Sequence, residues 1–228
     1  MLRRLSMTFF GFRYYLLPIT HSYYLMTALL LIDFQLDFLP GGALAVPEGD
    51  ALLPLLNDLQ PRFDLVVATQ DWHPAGHRSF ASTHPQHAVF DAIEWQGLPQ
   101  RLWPDHCVQG SAGATLHPGL NLDRVEAIFR KGTDPELDSY SAFFDNGHRR
   151  ATGLSAYLRA RGITRVFVAG LASDYCVYFT AKDAHGEGFE VAVIEDATRG
   201  IAPESMAAAK ADLLALGVRF VQSAQMPA

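Results

Sequence analysis

The feature that most restricts the fold is a series of short apolar runs set between amphipathic stretches. "TALLLID" (27–33) is a continuous apolar run with no polar alternation, the pattern of a strand buried on both faces. "FDLVVATQD" (63–71), "RVEAIFRKG" (124–132), "RVFVAG" (165–170), "FEVAVIED" (189–196) and "VRFV" (218–221) read as further strands. Between them, "EGDALLPLLNDL" (48–59) places Leu52, Leu55, Leu56 and Leu59 on one helical face. "LSAYLRARG" (154–162) reads as a helix closed by Gly162, and another helix is expected from about Asp174 to Glu187. "PESMAAAKADLLALG" (203–217) opens on proline and closes on glycine, the usual asymmetry of a helix. Strands separated by helices imply a parallel sheet covered on both faces. The expected class is therefore α/β: a three-layer α/β/α, Rossmann-like open sheet of about six mainly parallel strands. The segment 72–123, rich in His, Pro, Gly and Trp, is expected to be a long functional loop.

The chain has 228 residues, 49% of them hydrophobic, which suits one such domain. Its first 25 residues, aromatic-rich and led by basic residues, fit no motif that follows. Pro18 and His21 interrupt any apolar span there, and no small-residue cleavage site is present. Residues 1–25 are expected to be a non-native or disordered extension, with translation starting at Met26 and the domain occupying 26–228. A net charge of −6 without a long basic run argues against nucleic acid as a partner. No membrane association is expected. Two cysteines far apart, Cys107 and Cys176, indicate free thiols in the cytoplasm rather than a disulfide framework.

Reactive residues collect where strands end. Asp33 ends the first strand, Asp71 the second and Lys131 the third, and Cys176 follows the fourth in "GLASDYCVYFT". Ligands of open parallel sheets bind outside the carboxyl ends of the strands, so these four side chains should converge. Singly, each has a blander reading: a turn cap, a solvated lysine or a small core residue. Their joint placement favours chemistry. Cys176 in a strand–turn–helix setting would feel the positive end of a helix, which favours thiolate, and turn N–H groups could receive an oxyanion. Lys131 would support the thiolate, and Asp33 could take the thiol proton and pass it to a leaving group.

"QDWHPAGH" sets Asp71 and His73 two residues apart, and "LWPDHCVQG" supplies His106. One carboxylate and two imidazoles suit Zn²⁺ or Fe²⁺, with positions left for water or substrate. His77 could be a fourth ligand, a neighbour of the ligands or an exposed loop residue; the second reading is favoured. His84, His87, His117, His148 and His185 are expected to be exposed, and Cys107 to be a small buried residue.

Five blocks carry a family resemblance: "DFQLDF" (33–38), "QDWHPAGHRSFAS" (70–82), "WPDHCVQGS" (103–111), "KGTDPELDSYSAFFDN" (131–146) and "GLASDYCVYFTAKDA" (170–184). In this order they resemble the nicotinamidase/pyrazinamidase branch of the isochorismatase-like cysteine hydrolases, over about Ala28 to Val221. The resemblance implies a catalytic triad of Asp33, Lys131 and Cys176. It implies one divalent metal held by Asp71, His73 and His106, with Zn²⁺ favoured over Fe²⁺ or Mn²⁺. It implies an oxyanion hole from the backbone N–H groups of Ala172 and Cys176, with a cis peptide between Ala172 and Ser173. It implies that Phe38, Trp103 and Tyr140 wall a slot for a flat ring. Some relatives use a further ligand after the D-x-H pair; His77 and Ser79 are left out of the set. The implied activity is hydrolysis of nicotinamide to nicotinate and ammonia through a cysteine thioester, in pyridine nucleotide salvage, with pyrazinamide as a second substrate. The protein would act as a monomer or homo-oligomer. A carbamoyl or ureido substrate, a vinyl-ether hydrolase and a non-catalytic scaffold are the rivals. The metal motif, the thiol and the converging strand ends, respectively, weigh against them.

Overall fold

A computed structural model describes residues 26–226, so the expectation for residues 1–25 lies outside the described residues. Six strands form one sheet: β1 (Met26–Ile32), β2 (Leu65–Asp71), β5 (Val125–Lys131), β6 (Ile163–Leu171), β7 (Glu190–Arg199) and β8 (Arg219–Val221). Their order is β5-β2-β1-β6-β7-β8, and every pairing in this sheet is parallel. The expected fold class holds. Two short strands within the expected loop, β3 (Ala92–Trp95) and β4 (Leu98–Arg101), form a separate antiparallel hairpin. At four residues each and half of them exposed, they carry too little apolar pattern to be read from sequence.

The period of two in each strand sorts its side chains between two cores. Leu29 and Leu31 of β1 join Leu52, Leu56 and Leu59, the last two on α1 (Leu53–Leu59). Ala28, Leu30 and Ile32 point the other way, into residues of α2 (Leu154–Ala160), α3 (Cys176–Gly186) and α4 (Pro203–Leu216). That division makes the three layers. Among the described residues, no helix is long and apolar enough to cross a membrane.

The third helix begins at Cys176, two residues later than its expected start near Asp174. Asp174 is committed elsewhere: its carboxylate accepts the N–H groups of Ile201 and Ala202 and the Ser205 hydroxyl, at the start of α4. Strand β7 runs to Arg199, three residues past its expected end, and Thr198–Arg199 pair with Gly170–Leu171 beside the turn into α3. Gly170 is required there. It has φ +116°, and a Cβ would sit 2.2 Å from the Ile32 carbonyl oxygen.

Candidate active site

Chain direction from β1 splits the sheet: β2 and β5 lie on one side, and β6, β7 and β8 on the other. The crevice at the carboxyl ends of β1 and β6 is therefore the switch point where ligands of open α/β sheets bind. Asp33 leaves β1 there with φ +44°, and Cys176 opens α3 just after β6. Asp71 and Lys131 are register partners at the ends of β2 and β5.

Lys131 joins these four strand ends. Its Nζ lies 3.0 Å from Asp33 Oδ2 and 3.1 Å from Asp71 Oδ1. It donates to the Ser139 carbonyl at 3.0 Å and to Cys176 Sγ at 3.4 Å. The side chain is almost fully buried, where an unpaired ammonium would cost several kcal/mol. Burial pulls its pKa down, but Asp33 and Asp71 together lift it well above the ordinary lysine range, so it stays charged. Burial raises the Asp33 pKa against the pull of Lys131, which suits a carboxylate that accepts and returns a proton. Its other oxygen accepts the Thr69 hydroxyl at 2.6 Å, and Thr69 in turn accepts the Asp33 N–H. Burial also pushes the Cys176 thiol well above its usual range, opposed by Lys131. The resting group is thus a thiol, with the cation that would stabilise its thiolate already in contact.

Asp71, His73 and His106, all buried, have ligand atoms within 4.8 Å of one another. Asp71 Oδ2 is 3.0 Å from His73 Nε2 and 3.5 Å from His106 Nε2. The opposite nitrogens are occupied: His73 Nδ1 bonds the Gly132 carbonyl at 3.0 Å, and His106 Nδ1 bonds that of Pro104 at 2.8 Å. A carbonyl accepts only, so both rings carry a proton on Nδ1 and present Nε2 to the carboxylate. That is how a protein prepares imidazoles for a cation. Burial opposes ionisation of Asp71, yet His73 and Lys131 hold its pKa well below the usual carboxylate range. The residues fit a divalent metal.

His77 is fully buried, and its ring lies 4.3 Å from that of His73. A second trio, His73, His77 and Asp138, also has ligand atoms within 4.8 Å, but it shares His73. The Nδ1 of His77 accepts the Ser79 N–H at 3.1 Å, and burial pushes its pKa down to about 4, so it packs against the His73 ring as a neutral imidazole. Cys107 is buried, as expected. Of the histidines expected to be exposed, His87, His148 and His185 are; His84 and His117 are half-buried, the first bonded to the Arg78 carbonyl and the second packed on Phe34.

Gly132 makes room for the trio. At φ +64°, a Cβ there would stand 2.4 Å from His73 Cε1 and 2.9 Å from Asp71 Oδ1. Gly132→Ala is expected to displace the His73 ring and lower bound metal by at least about tenfold; elemental analysis of the purified variant checks this.

Beside the trio lies a recess bounded by Phe38, Leu44, Trp103, Tyr140, Tyr175 and Ile201, with Asp71, His106, Asp138, Ala172 and Cys176 also in its lining. Trp103 Nε1 donates to the Tyr140 hydroxyl at 3.2 Å, and Tyr175 packs edge-on against Trp103 with centroids 4.8 Å apart. Phe38, Trp103 and Tyr140 are thus brought together as wall residues. Thr69, Leu44, Asp138, Tyr175 and Ile201 were not singled out from sequence. Thr69 alone left a trace, as a polar residue two before Asp71 in an apolar strand.

The cis peptide is not between Ala172 and Ser173; it is one bond earlier, Leu171–Ala172. Leu171 is still in register with Arg199, and the next trans unit presents the Ser173 N–H to the Arg199 carbonyl at 2.7 Å. The reversal therefore falls before Ala172. A non-proline cis bond leaves no mark in residue type. The Ala172 carbonyl accepts the N–H groups of Tyr175 and Val177, closing the turn that carries Cys176.

An acid, a buried lysine and a cysteine at the carboxyl edge of a parallel sheet, beside an Asp–His–His trio, define a class of cysteine hydrolase. The chain belongs to the isochorismatase family: the Isochorismatase domain profile matches residues 27–225. It is 52% identical over 198 residues to the nicotinamidase of Escherichia coli (strain K12), covering 83% of this chain and 92% of that protein. A solved nicotinamidase/pyrazinamidase of Acinetobacter baumanii superposes with a TM-score of 0.87 at 45% identity, covering 89% of this chain and 99% of the other. The pyrazinamidase of Pyrococcus horikoshii, solved in complex with zinc, has a TM-score of 0.72 at 38% identity, covering 86% and 98%.

Proposed function

We propose that this chain is an amide hydrolase that converts nicotinamide to nicotinate and ammonia, and that it deamidates pyrazinamide by the same route. The observation that carries this reading is the shared cavity. One aromatic-walled recess touches Cys176 as well as Asp71 and His106, so a flat ring between the walls would lie over the thiol with its edge at the trio.

Catalysis then follows from the strand-end groups. Asp33 takes the Cys176 proton, Lys131 holds the thiolate, and the sulfur attacks the carboxamide carbon. The developing oxyanion is received by the backbone N–H groups of Ala172 and Cys176, the latter at the first residue of α3, where a helix leaves its N–H without an internal partner. Asp33 returns the proton to nitrogen, the C–N bond breaks, and ammonia leaves a thioester. Water, deprotonated by Asp33, adds to the thioester carbon; the C–S bond breaks, Asp33 returns that proton to the departing Cys176 sulfur, and nicotinate is released. Phe38, Trp103 and Tyr140 orient the ring. A divalent metal held by Asp71, His73 and His106, with Zn²⁺ the favoured ion, supplies a Lewis-acidic anchor for an aromatic ring nitrogen. The route needs a reduced thiol, and both cysteines are free, which suits the cytoplasm and a place in pyridine nucleotide salvage.

Ammonia release is the test. The full chain should liberate ammonia from nicotinamide and pyrazinamide and leave ureido and carbamoyl compounds untouched. Release from the ureido compounds alone would transfer the protein to the rival reading.

A further inference from the structure

The second acid of "DFQLDF", Asp37, has no part in the chemistry above, nor has Gln35. Both hold backbone. Gln35 is fully buried; its Oε1 accepts the Asp71 N–H at 2.7 Å, and its Nε2 donates to the Asp71 and Ala114 carbonyls, each at 2.8 Å. A single amide thus takes both backbone groups of a metal-trio residue. Two positions on, Asp37 Oδ2 accepts the Cys107 N–H at 2.7 Å, a charge-assisted bond. Cys107 follows His106 directly and has φ +47°, a left-handed conformation that a residue with a side chain rarely holds unaided. Asp37 Oδ1 also takes the Ala43 N–H at 3.3 Å, and its backbone bonds the Gly113 carbonyl and the Leu44 N–H, each at 2.9 Å. Gly113 closes over this carboxylate: a Cβ there would stand 2.1 Å from Oδ1.

We propose that Gln35 and Asp37 are positioning residues that together set the separation between Asp71 and His106, so that the turn after β1 builds the metal site without touching the metal. Asp71 arrives on a strand and His106 on a loop 35 residues later. The two segments pair directly through the backbone of His73, whose N–H donates to the Cys107 carbonyl at 3.0 Å and whose carbonyl accepts the Gln109 N–H at 2.8 Å, and through a Gln109 side-chain bond to the Trp72 carbonyl. Asp71 and His106 themselves meet through the 3.5 Å contact of their side chains. The turn grips the backbone of Asp71 and that of Cys107, the residue after His106. This inference rests on the metal reading of the trio.

The experiment is a chelator competition for Zn²⁺ on the full chain, read as affinity rather than turnover, with thermal unfolding run in parallel. Asp37→Ala is expected to weaken Zn²⁺ binding about 10–100-fold. Gly113→Ala should do the same by pushing the carboxylate off the Cys107 N–H while leaving its charge in place. Asp37→Asn, which keeps an acceptor for that N–H, should bind Zn²⁺ nearly as the unaltered chain does. Gln35→Met should weaken binding from the Asp71 side. Asp64→Ala removes two bonds to Thr27 at the opposite edge of the sheet, and should leave Zn²⁺ affinity unchanged. If His106→Ala loses Zn²⁺ while Asp37→Ala and Gly113→Ala keep it, the positioning role is overturned and the metal site stands. If the unaltered chain binds Zn²⁺ no better than His106→Ala, the metal reading itself fails, and the inference with it.

Discussion

Cys176→Ala is expected to lower turnover of nicotinamide by at least about 10⁴-fold, in line with the loss of a covalent nucleophile elsewhere. The variant should still fold and still hold metal. Cys176 touches Lys131, whose two carboxylate partners and bond to the Ser139 carbonyl are untouched by the change. A single sulfur is lost from the edge of the core, with the adjacent recess open beside it. Cys107→Ala is the matched control. That thiol is fully buried and, unlike Cys176, neither lines the recess nor contacts Lys131. It should retain most activity. Ammonia release, melting temperature and metal content for both variants decide the matter; an active Cys176→Ala with a dead Cys107→Ala would reverse the assignment of the nucleophile.

His73→Ala is expected to lose the metal and nearly all activity, whereas His84→Ala should lose neither. The two residues differ in what faces their free nitrogens. His73 Nε2 meets Asp71 at 3.0 Å inside the trio, while His84 Nε2 bonds the Arg78 carbonyl near the surface. A substrate comparison separates anchoring from other roles of the ion. Benzamide has the carboxamide and the flat ring but no ring nitrogen. If the trio's metal orients the substrate through that nitrogen, benzamide should react at least about 10²-fold more slowly in kcat/KM, since loss of positioning alone can cost that much. Equal rates for the two amides would remove the anchoring role and leave water activation in its place.

What the amino-acid sequence determines by itself is local. Strands β1, β2, β6 and β7 were legible as short apolar runs that are largely buried, and the outer strands β5 and β8, which are partly exposed, as shorter or alternating patterns beside them. Asp33, Asp71, Lys131 and Cys176 were legible as a group because parallel strands deliver their last residues to one edge, whatever their order. The D-x-H spacing marked Asp71 and His73 in the same way. Other features depend on groups far apart in sequence meeting at ångström precision, and only the tertiary structure decided those. One is the charge state of Lys131, set by carboxylates 98 and 60 residues before it. Another is the Nδ1 proton of both imidazoles, set by the carbonyls of Gly132 and Pro104. The position of the cis bond, between Leu171 and Ala172, is a third. Tyr175 and Ile201 face Phe38 and Trp103 only because the turns after β6 and β7 arrive beside the loops that carry the other walls. A hydrophobic period specifies which face of an element is buried. It does not specify which distant side chain will be waiting there, because that contact is made by the packing of the whole sheet and its loops.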